Sequence, residues 1–482
     1  MTIRSHVQHR VVCAFAAAAS LILAPSADAE TIHCGAADVQ CLIAAINDAN
    51  ADPHKTTIRL AGGTYALTNI DNDTNGPNGL PSIVSPVTID GGDNGTTIER
   101  TGAAEFFRIL HVGATGRLTL NGVSLMGGTA VIFAGGDPLS LSGGALLNVG
   151  GVVTIANSAF DGNFGNGTGG AVFNDHGTLT ILDSTFANND GGSVGGLFND
   201  GGVVDITRTV FEQNFGGGAV GGLGTADGDV RITQSHFTAN NGGFFGGGIF
   251  VDGGTMSIVQ TTIAGNVASD GGGLRVTGQA NVLVRDSAFI GNGAEKGGAI
   301  ANSDSTVDVA NTTFARNVVG IFDGAAVLNV GRMTIVNSTF AENGRFPSGF
   351  PASVIASGGD TLLDNTIVVH DSEDESVQDC AGLITSLGNN LIGDPFAVHP
   401  FFAPCNITLQ PSDLTGDAGL DDLVDDGTPG GAHYPLLPDS QAIDVANDAA
   451  CPKKDQIGQP RAPRCDIGAI EFRRSDVVTT TQ

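Results

Sequence analysis

The stretch VTIANSAFDGN (residues 153–163) recurs as LTILDSTFANN (179–189), VDITRTVFEQN (204–214) and VRITQSHFTAN (230–240). MSIVQTTIAGN (256–266), VLVRDSAFIGN (282–292), VDVANTTFARN (307–317) and MTIVNSTFAEN (333–343) continue the series. The aromatic position falls at Phe160, Phe186, Phe211, Phe237, Ile263, Phe289, Phe314 and Phe340, a period of 25 or 26 residues. A Gly-Gly pair keeps step with it from Gly143-Gly144 to Gly297-Gly298 and becomes Gly324-Ala325 in the last copy. A fixed period of this size marks a solenoid.

Within each copy the residue five before the aromatic is β-branched (Ile155 through Ile335), and the one seven before is apolar (Val153 through Met333). Period-two alternation puts these side chains on one face, the interior, and turns Thr154, Asp205, Arg231 and Asp308 outward. A hydroxyl two before the aromatic and an Asn three after it recur in every copy. Identity in register is explained if each residue stacks on its counterpart one coil away, about 4.8 Å along the axis. Ser/Thr and Asn ladders then satisfy turn backbone groups, Asn supplies a left-handed corner, and Gly-Gly lets another corner pass close to its neighbour. No helical period intervenes, so the predicted fold is all-β, a single right-handed parallel β-helix.

Four segments are expected. Residues 1–29 have the form of an export signal: Arg4 and Arg10, an apolar run from Val11 to Ala24, and Ala27-Asp28-Ala29. Residues 30–54 hold an amphipathic helix, Val39 to Asn50, with Asp38 as N-cap and Val39, Leu42, Ile43, Ile46 and Ala49 on one face; it covers the open end of the first coil. The β-helix spans 55–375, opening with looser coils. From 376 to 482 the repeat stops, Pro becomes frequent and four cysteines appear, which predicts a disulfide-stapled cap on the C-terminal end. HDSEDESVQD (370–379) is expected to be an acidic surface loop.

Composition limits the partners. The formal charge is −29, which disfavours nucleic acid, anionic lipid and polyanionic glycans and favours divalent cations. Beyond the leader, six cysteines remain, an even number that fits disulfides in an exported protein. Proximity favours Cys34–Cys41, Cys380–Cys405 and Cys451–Cys465. No later apolar run is long enough for a membrane helix, and a monomer is expected.

The alternation of GGAL (143–146), GGAV (169–172) and GGAI (297–300) with FDGN, FANN and FEQN resembles the repeats of the polymorphic outer-membrane proteins and of secreted bacterial β-helix proteins that share them. CLIAAINDANADPHKTTIRLAGGTYALT (41–68) resembles the CSLREA segment of that group, with its defining letters reduced to CLIAA. GLDDLVDDGTPGGAHYPLLPDSQAIDVAN (419–447) and CPKKDQIGQPRAPRCDIGAIEF (451–472) are similar to the choice-of-anchor extension. The resemblance implies a secreted or surface-exposed β-helix with adhesion as its best-known role. The membrane barrel of the outer-membrane proteins has no counterpart before Gln482, so self-translocation is not expected.

Three groups could carry chemistry. Asp175, Asp200, Asp227 and Asp252 follow the Gly-Gly strand in four successive coils, and a stacked row of carboxylates would suit Ca²⁺. The same residues also make good Asp-Gly turns. No other cofactor is called for. His176, beside Asp175 and near Asp200, is the histidine to consider as acid or base; a turn residue is the plainer reading. Phe244, Phe245, Phe346 and Phe350 fall outside the core pattern and are candidate ligand contacts. Arg208, Arg231 and Arg285 occupy three different repeat positions, so no uronate-binding row is seen, and no pair of carboxylates stands apart as a glycosidase dyad. The expected function is an exported binding or adhesin-like module for a glycan or a cell-surface protein. A secreted polysaccharide lyase or glycoside hydrolase and a structural surface-layer component are the alternatives.

Overall fold

The computed structural model describes residues 30–473, except 53, 94, 132–137, 348–349, 371–375 and 397–402. The expected signal segment lies outside the described residues. The chain forms one right-handed parallel β-solenoid of about 14 turns. The coil from Val203 shows the plan. A long strand, Val203–Thr207, is followed by Val210–Glu212, the two-residue strand Phe215–Gly216, and Leu223–Ala226. Each pairs in parallel with its counterpart one coil on: Val204 with Val230, Phe211 with Phe237, Leu223 with Ile249.

The apolar rows fill the interior as the period requires. Val204, Ile206, Phe211 and Leu223 are fully buried, as are their counterparts along the axis. Phe160, Phe186, Phe211 and Phe237 form a continuous stack with ring centroids 4.7, 4.6 and 4.7 Å apart and nearly parallel planes. Ile263 interrupts it, and Phe289, Phe314 and Phe340 resume it. Each ring adds about 2 kcal/mol of burial and roughly 1 kcal/mol of stacking.

Polar ladders satisfy the corners. The backbone N–H and Nδ2 of Asn189 both donate to Asn214 Oδ1, at 3.1 and 2.9 Å, and Asn214 Nδ2 donates to Asn240 Oδ1 and to the Phe186 carbonyl. The pattern runs unbroken from Asn163 to Asn343. The hydroxyl row works similarly: Ser158 N–H donates to Ser184 Oγ, and Ser184 Oγ donates to the Leu182 carbonyl. One expectation is corrected. The ladder Asn residues are not the left-handed ones. That conformation belongs to the residue before each, such as Asn188, Gln213 and Ala239 (φ 53, 53 and 52°), and to a second corner at Asp183, Arg208 and Gln234 (φ 47, 48 and 49°). A buried amide that must face the core cannot also make the turn. Gly170 meets its expected role: a Cβ there would lie 2.3 Å from the Asp190 carbonyl and 2.4 Å from that of Gly195.

A second ladder stands at the corner before each long strand. Asn148 donates to Asn174, and Asn174 to Asn199, both at 2.7 Å; each also donates to a carbonyl three residues on. Val251 and Val276 replace it midway, and Asn302–Asn329 restores it.

The looser first coils are held by Arg108. Its buried guanidinium donates to the carbonyls of Leu139, Ser142 and Gly143 and to Asn78 Oδ1.

Both ends differ from expectation in extent. Glu30–Cys34 already pairs with Thr56–Leu60, so the first rung precedes the helix. The helix, Val39–Ala51, is capped by Asp38, which accepts from Cys41 N–H. Leu42, Ala45, Ile46 and Ala49 are its buried residues, with Val39 and Ile43 at the margin. Parallel pairing also continues past residue 375. Val377–Gly388 pairs with Ala352–Ser357, Cys405–Thr408 with Val377–Gly388, and Leu414–Thr415 with Leu391–Ile392. Part of the expected acidic loop is therefore strand: Asp379 is buried and accepts from the His370 N–H at 2.8 Å. Residues 371–375 of that loop lie outside the described residues.

Residues 416–473 extend beyond the last coil's end. They fold back along the flank as an irregular strap across several coils. Gly430 N–H donates to Thr262 Oγ1, Thr313 Oγ1 to Gln456, Asn337 Nδ2 to the Asp466 carbonyl, and Asn389 Nδ2 to the Val445 carbonyl. Cys34–Cys41, Cys380–Cys405 and Cys451–Cys465 are the three disulfides among the described residues. They join first strand to helix, one coil to another, and strap to itself.

Asn214→Ala removes one acceptor and two donated bonds from a buried ladder. It should cost about 2–4 kcal/mol, read as a fall in the urea midpoint. The exposed corner variant Gln213→Gly should change it by less than about 1 kcal/mol.

Candidate functional site

The Asp row is broken in register. Asp175 pairs with Asp200, but Asp200 pairs with Ala226 and Ala226 with Asp252. Asp227 stands one place on, at a left-handed corner (φ 49°), where its N–H donates to the Asp252 carbonyl. The 27-residue step between Asp200 and Asp227 shifts it. The four carboxylates therefore do not form the predicted line. Among the described residues, no three His, Cys, Asp or Glu side chains form a group that could hold a metal ion.

His176 also occupies a left-handed corner (φ 54°). Its side chain is 70% exposed, and Nδ1 lies 2.5 Å from Asp175 Oδ1. The hydrogen bond to Asp175 raises its pKa, with the charges of Asp175 and Asp200 adding and slight desolvation opposing. The ring lies over Gly201, where a Cβ would sit 2.8 Å from Nε2. This is an imidazole paired with one carboxylate on an open edge, and Asp200 contributes through charge.

The four phenylalanines share one flank, that of the two-residue strands. Phe244 and Phe245 follow Asn241–Gly242; Phe244 is 59% exposed, and Phe245 stacks on Phe250 at 5.7 Å. Phe346 lies over Gly293, two coils further on, and Phe350 is 63% exposed. Phe215, Ile321 and Phe322 join them as exposed apolar residues, and Lys296 lies over the Phe322 ring at 5.9 Å.

The sequence reading missed an open trough of about 530 Å³ on the outer face of the long-strand sheet. Two stacked rows line it. Val203, Asp229, Thr255, Asn281 and Thr306 start their strands; Asp205, Arg231, Ser257, Leu283 and Asp308 are the outward central positions. Arg231 Nη1 donates to Asp205 Oδ1 at 2.8 Å, and Thr255 Oγ1 donates to Asp229 Oδ1 at 2.6 Å. Arg208, one corner away, is engaged by both carboxylate oxygens of Asp183. The outward rows were legible in the repeat, but whether they line a flat face or a depression depends on how neighbouring turns stand beside the sheet. Chemically, the trough offers carboxylates, hydroxyls, an amide and one guanidinium at successive coil steps.

Residues 221–392 match the family described as right handed beta helix region. No curated protein matches the chain. Among solved structures, pectate lyase Pel9A aligns over 92% of this chain and 97% of its own, with a TM-score of 0.39 and 16% identity. The PL6 family alginate lyase AlyGC aligns over 92% of this chain and 59% of its own, with a TM-score of 0.39 and 10% identity. At that distance the likeness assigns neither activity nor residues. No helix among the described residues is long and apolar enough to cross a membrane.

By NMR, His176 should titrate above the 6.5 of a free imidazole. Asp175→Asn should bring the midpoint back toward that value; an unmoved midpoint would remove Asp175 as the cause.

Proposed function

We propose that the protein is an exported, non-catalytic binding rod whose ligand is an extended, uncharged glycan held along the trough. The observation that carries this reading is the pair of mainly polar rows, Asp229–Thr255–Asn281–Thr306 and Asp205–Arg231–Ser257–Leu283–Asp308, stepped by one strand spacing along an open depression. Donors and acceptors at such intervals suit a polyhydroxylated chain that makes the same contact repeatedly. Leu283 supplies an apolar spot among them. The formal charge of −29 favours neutral over polyanionic ligands. Arg231 is already engaged by Asp205, which leaves it poorly suited to neutralise a uronate. Three disulfides support an exported protein.

The test is a screen of the purified chain on immobilised neutral and acidic glycans, followed by calorimetry on the hits. Asn281→Ala and Asp308→Ala should each weaken binding roughly ten-fold, the loss of one ligand hydrogen bond. Neutral glycans should be released intact. Binding unaffected by both substitutions would move the site elsewhere, and the appearance of reducing ends or unsaturated products would replace this reading with the polysaccharide lyase or hydrolase.

A further inference from the structure

The strap encloses an unbalanced set of charges. Asp455, Asp466 and Glu471 are only 1, 2 and 5% exposed. One guanidinium accompanies them: Arg461, itself buried, lies 3.2 Å from Glu471 Oε2. Its other bonds go to the carbonyls of Asp466, Gly468 and Ala469 and to Asn311 Oδ1 on the coils. Asp455 accepts from the N–H groups of Gln459 and Glu471. Asp466 accepts from the N–H groups of Asp444 and Phe472.

The groups facing this cluster do not restore the balance. From the strap comes Asp444; from the coils come Asp286, partly buried and bonded to Asn311, and the exposed Arg285 beside it. Arg464 and Lys454 are exposed, Arg464 donating to the Asp444 carbonyl, and Arg473 at the rim donates to the Pro460 carbonyl. Docking the strap thus collects more carboxylates than cations in a buried interface, and a buried charge without a partner is costly. A proton is the simplest relief. Asp466 is where it would reside: the N–H groups of Asp444 and Phe472 favour its charged form, but its burial beside Glu471 and Asp444 outweighs them.

We propose that the strap is an acid-tightened clamp: it takes up a proton at Asp466 as it docks on the coils, and so grips the solenoid more firmly in mild acid than at alkaline pH. Burial pushes the Asp466 carboxyl up to about 6, with Glu471 and Asp444 adding to the effect. Asp286 shifts in the same direction, also mainly from burial. The sign follows from linkage. Between the ordinary carboxyl value of 3.8 and about 6, the docked strap holds a proton that the open strap has released, so docking strengthens as pH falls through that window. Below it both states are protonated and the gain levels off.

Hydrogen exchange read by mass spectrometry tests this on the full chain, comparing peptides of residues 442–472 with those of 153–214 after correction for intrinsic rates. Strap opening should be on the order of ten-fold rarer at about pH 5 than at about pH 7.5, while the coil peptides keep constant protection. Asp466→Asn should flatten the strap profile. Arg461→Met, which removes the counter-charge, should move its midpoint to higher pH. A flat wild-type profile, a slope that survives Asp466→Asn, or a midpoint unmoved by Arg461→Met would each overturn the clamp. None of these readouts depends on whether the trough binds a glycan.

Discussion

The buried asparagine after each aromatic is the constraint on which the solenoid depends. A coil this short must turn sharply against its own core, and the turn leaves backbone N–H groups without a strand partner. One Asn amide serves as acceptor for the N–H of the coil before it and as donor to a carbonyl and to the next Asn. Every amide is thus satisfied only if its neighbours are in register. A slip of one residue would turn each apolar row to solvent and break the ladder together. That coupling keeps the Phe stack aligned through four successive coils at nearly constant separation.

Register, once fixed, divides the positions between two tasks. Inward rows are committed to packing, and the left-handed corners to geometry. What remains free is the outward row of each strand, and there the side chains vary from coil to coil: Asp205, Arg231, Ser257, Leu283, Asp308. A rigid scaffold with variable outward rows is suited to recognition by spacing. It also explains why Asp175, Asp200, Asp227 and Asp252 fail as a line. The coil holds Ala226 in the row and carries its Asp one position later, at Asp227, and a single such displacement ends a row.

The strap uses the same corners differently. In the earlier coils the second left-handed corner carries Asp183, Arg208 and Gln234, side chains at the surface. Further on it carries Asn311, Asn337, Asn365 and Asn389, and these amides bond to the strap: Asn311 to the Lys454 carbonyl, Asn365 to Asn447 N–H. A left-handed corner points its side chain outward, so a change of residue there converts a solvated edge into an interface without disturbing the core.

The sequence by itself determined the solenoid, its period, its inward rows and the N-terminal helix, because each is a local or periodic property, and for the disulfides proximity favoured the pairs that the tertiary structure forms. Ile206 is inward since alternation leaves it no other choice, and Cys34 reaches Cys41 because few residues separate them. It did not reveal which residue of each corner turns left-handed, since Asn suits both a turn and a ladder and only the backbone path separates the two. Nor did it reveal the trough or the strap. The trough depends on the relief between a sheet and its flanking turns. The strap brings Asp466 to Asn337 and Gly430 to Thr262 across long separations in sequence. Those contacts arise from tertiary packing of a segment without a repeat, and no periodicity in the chain announces them.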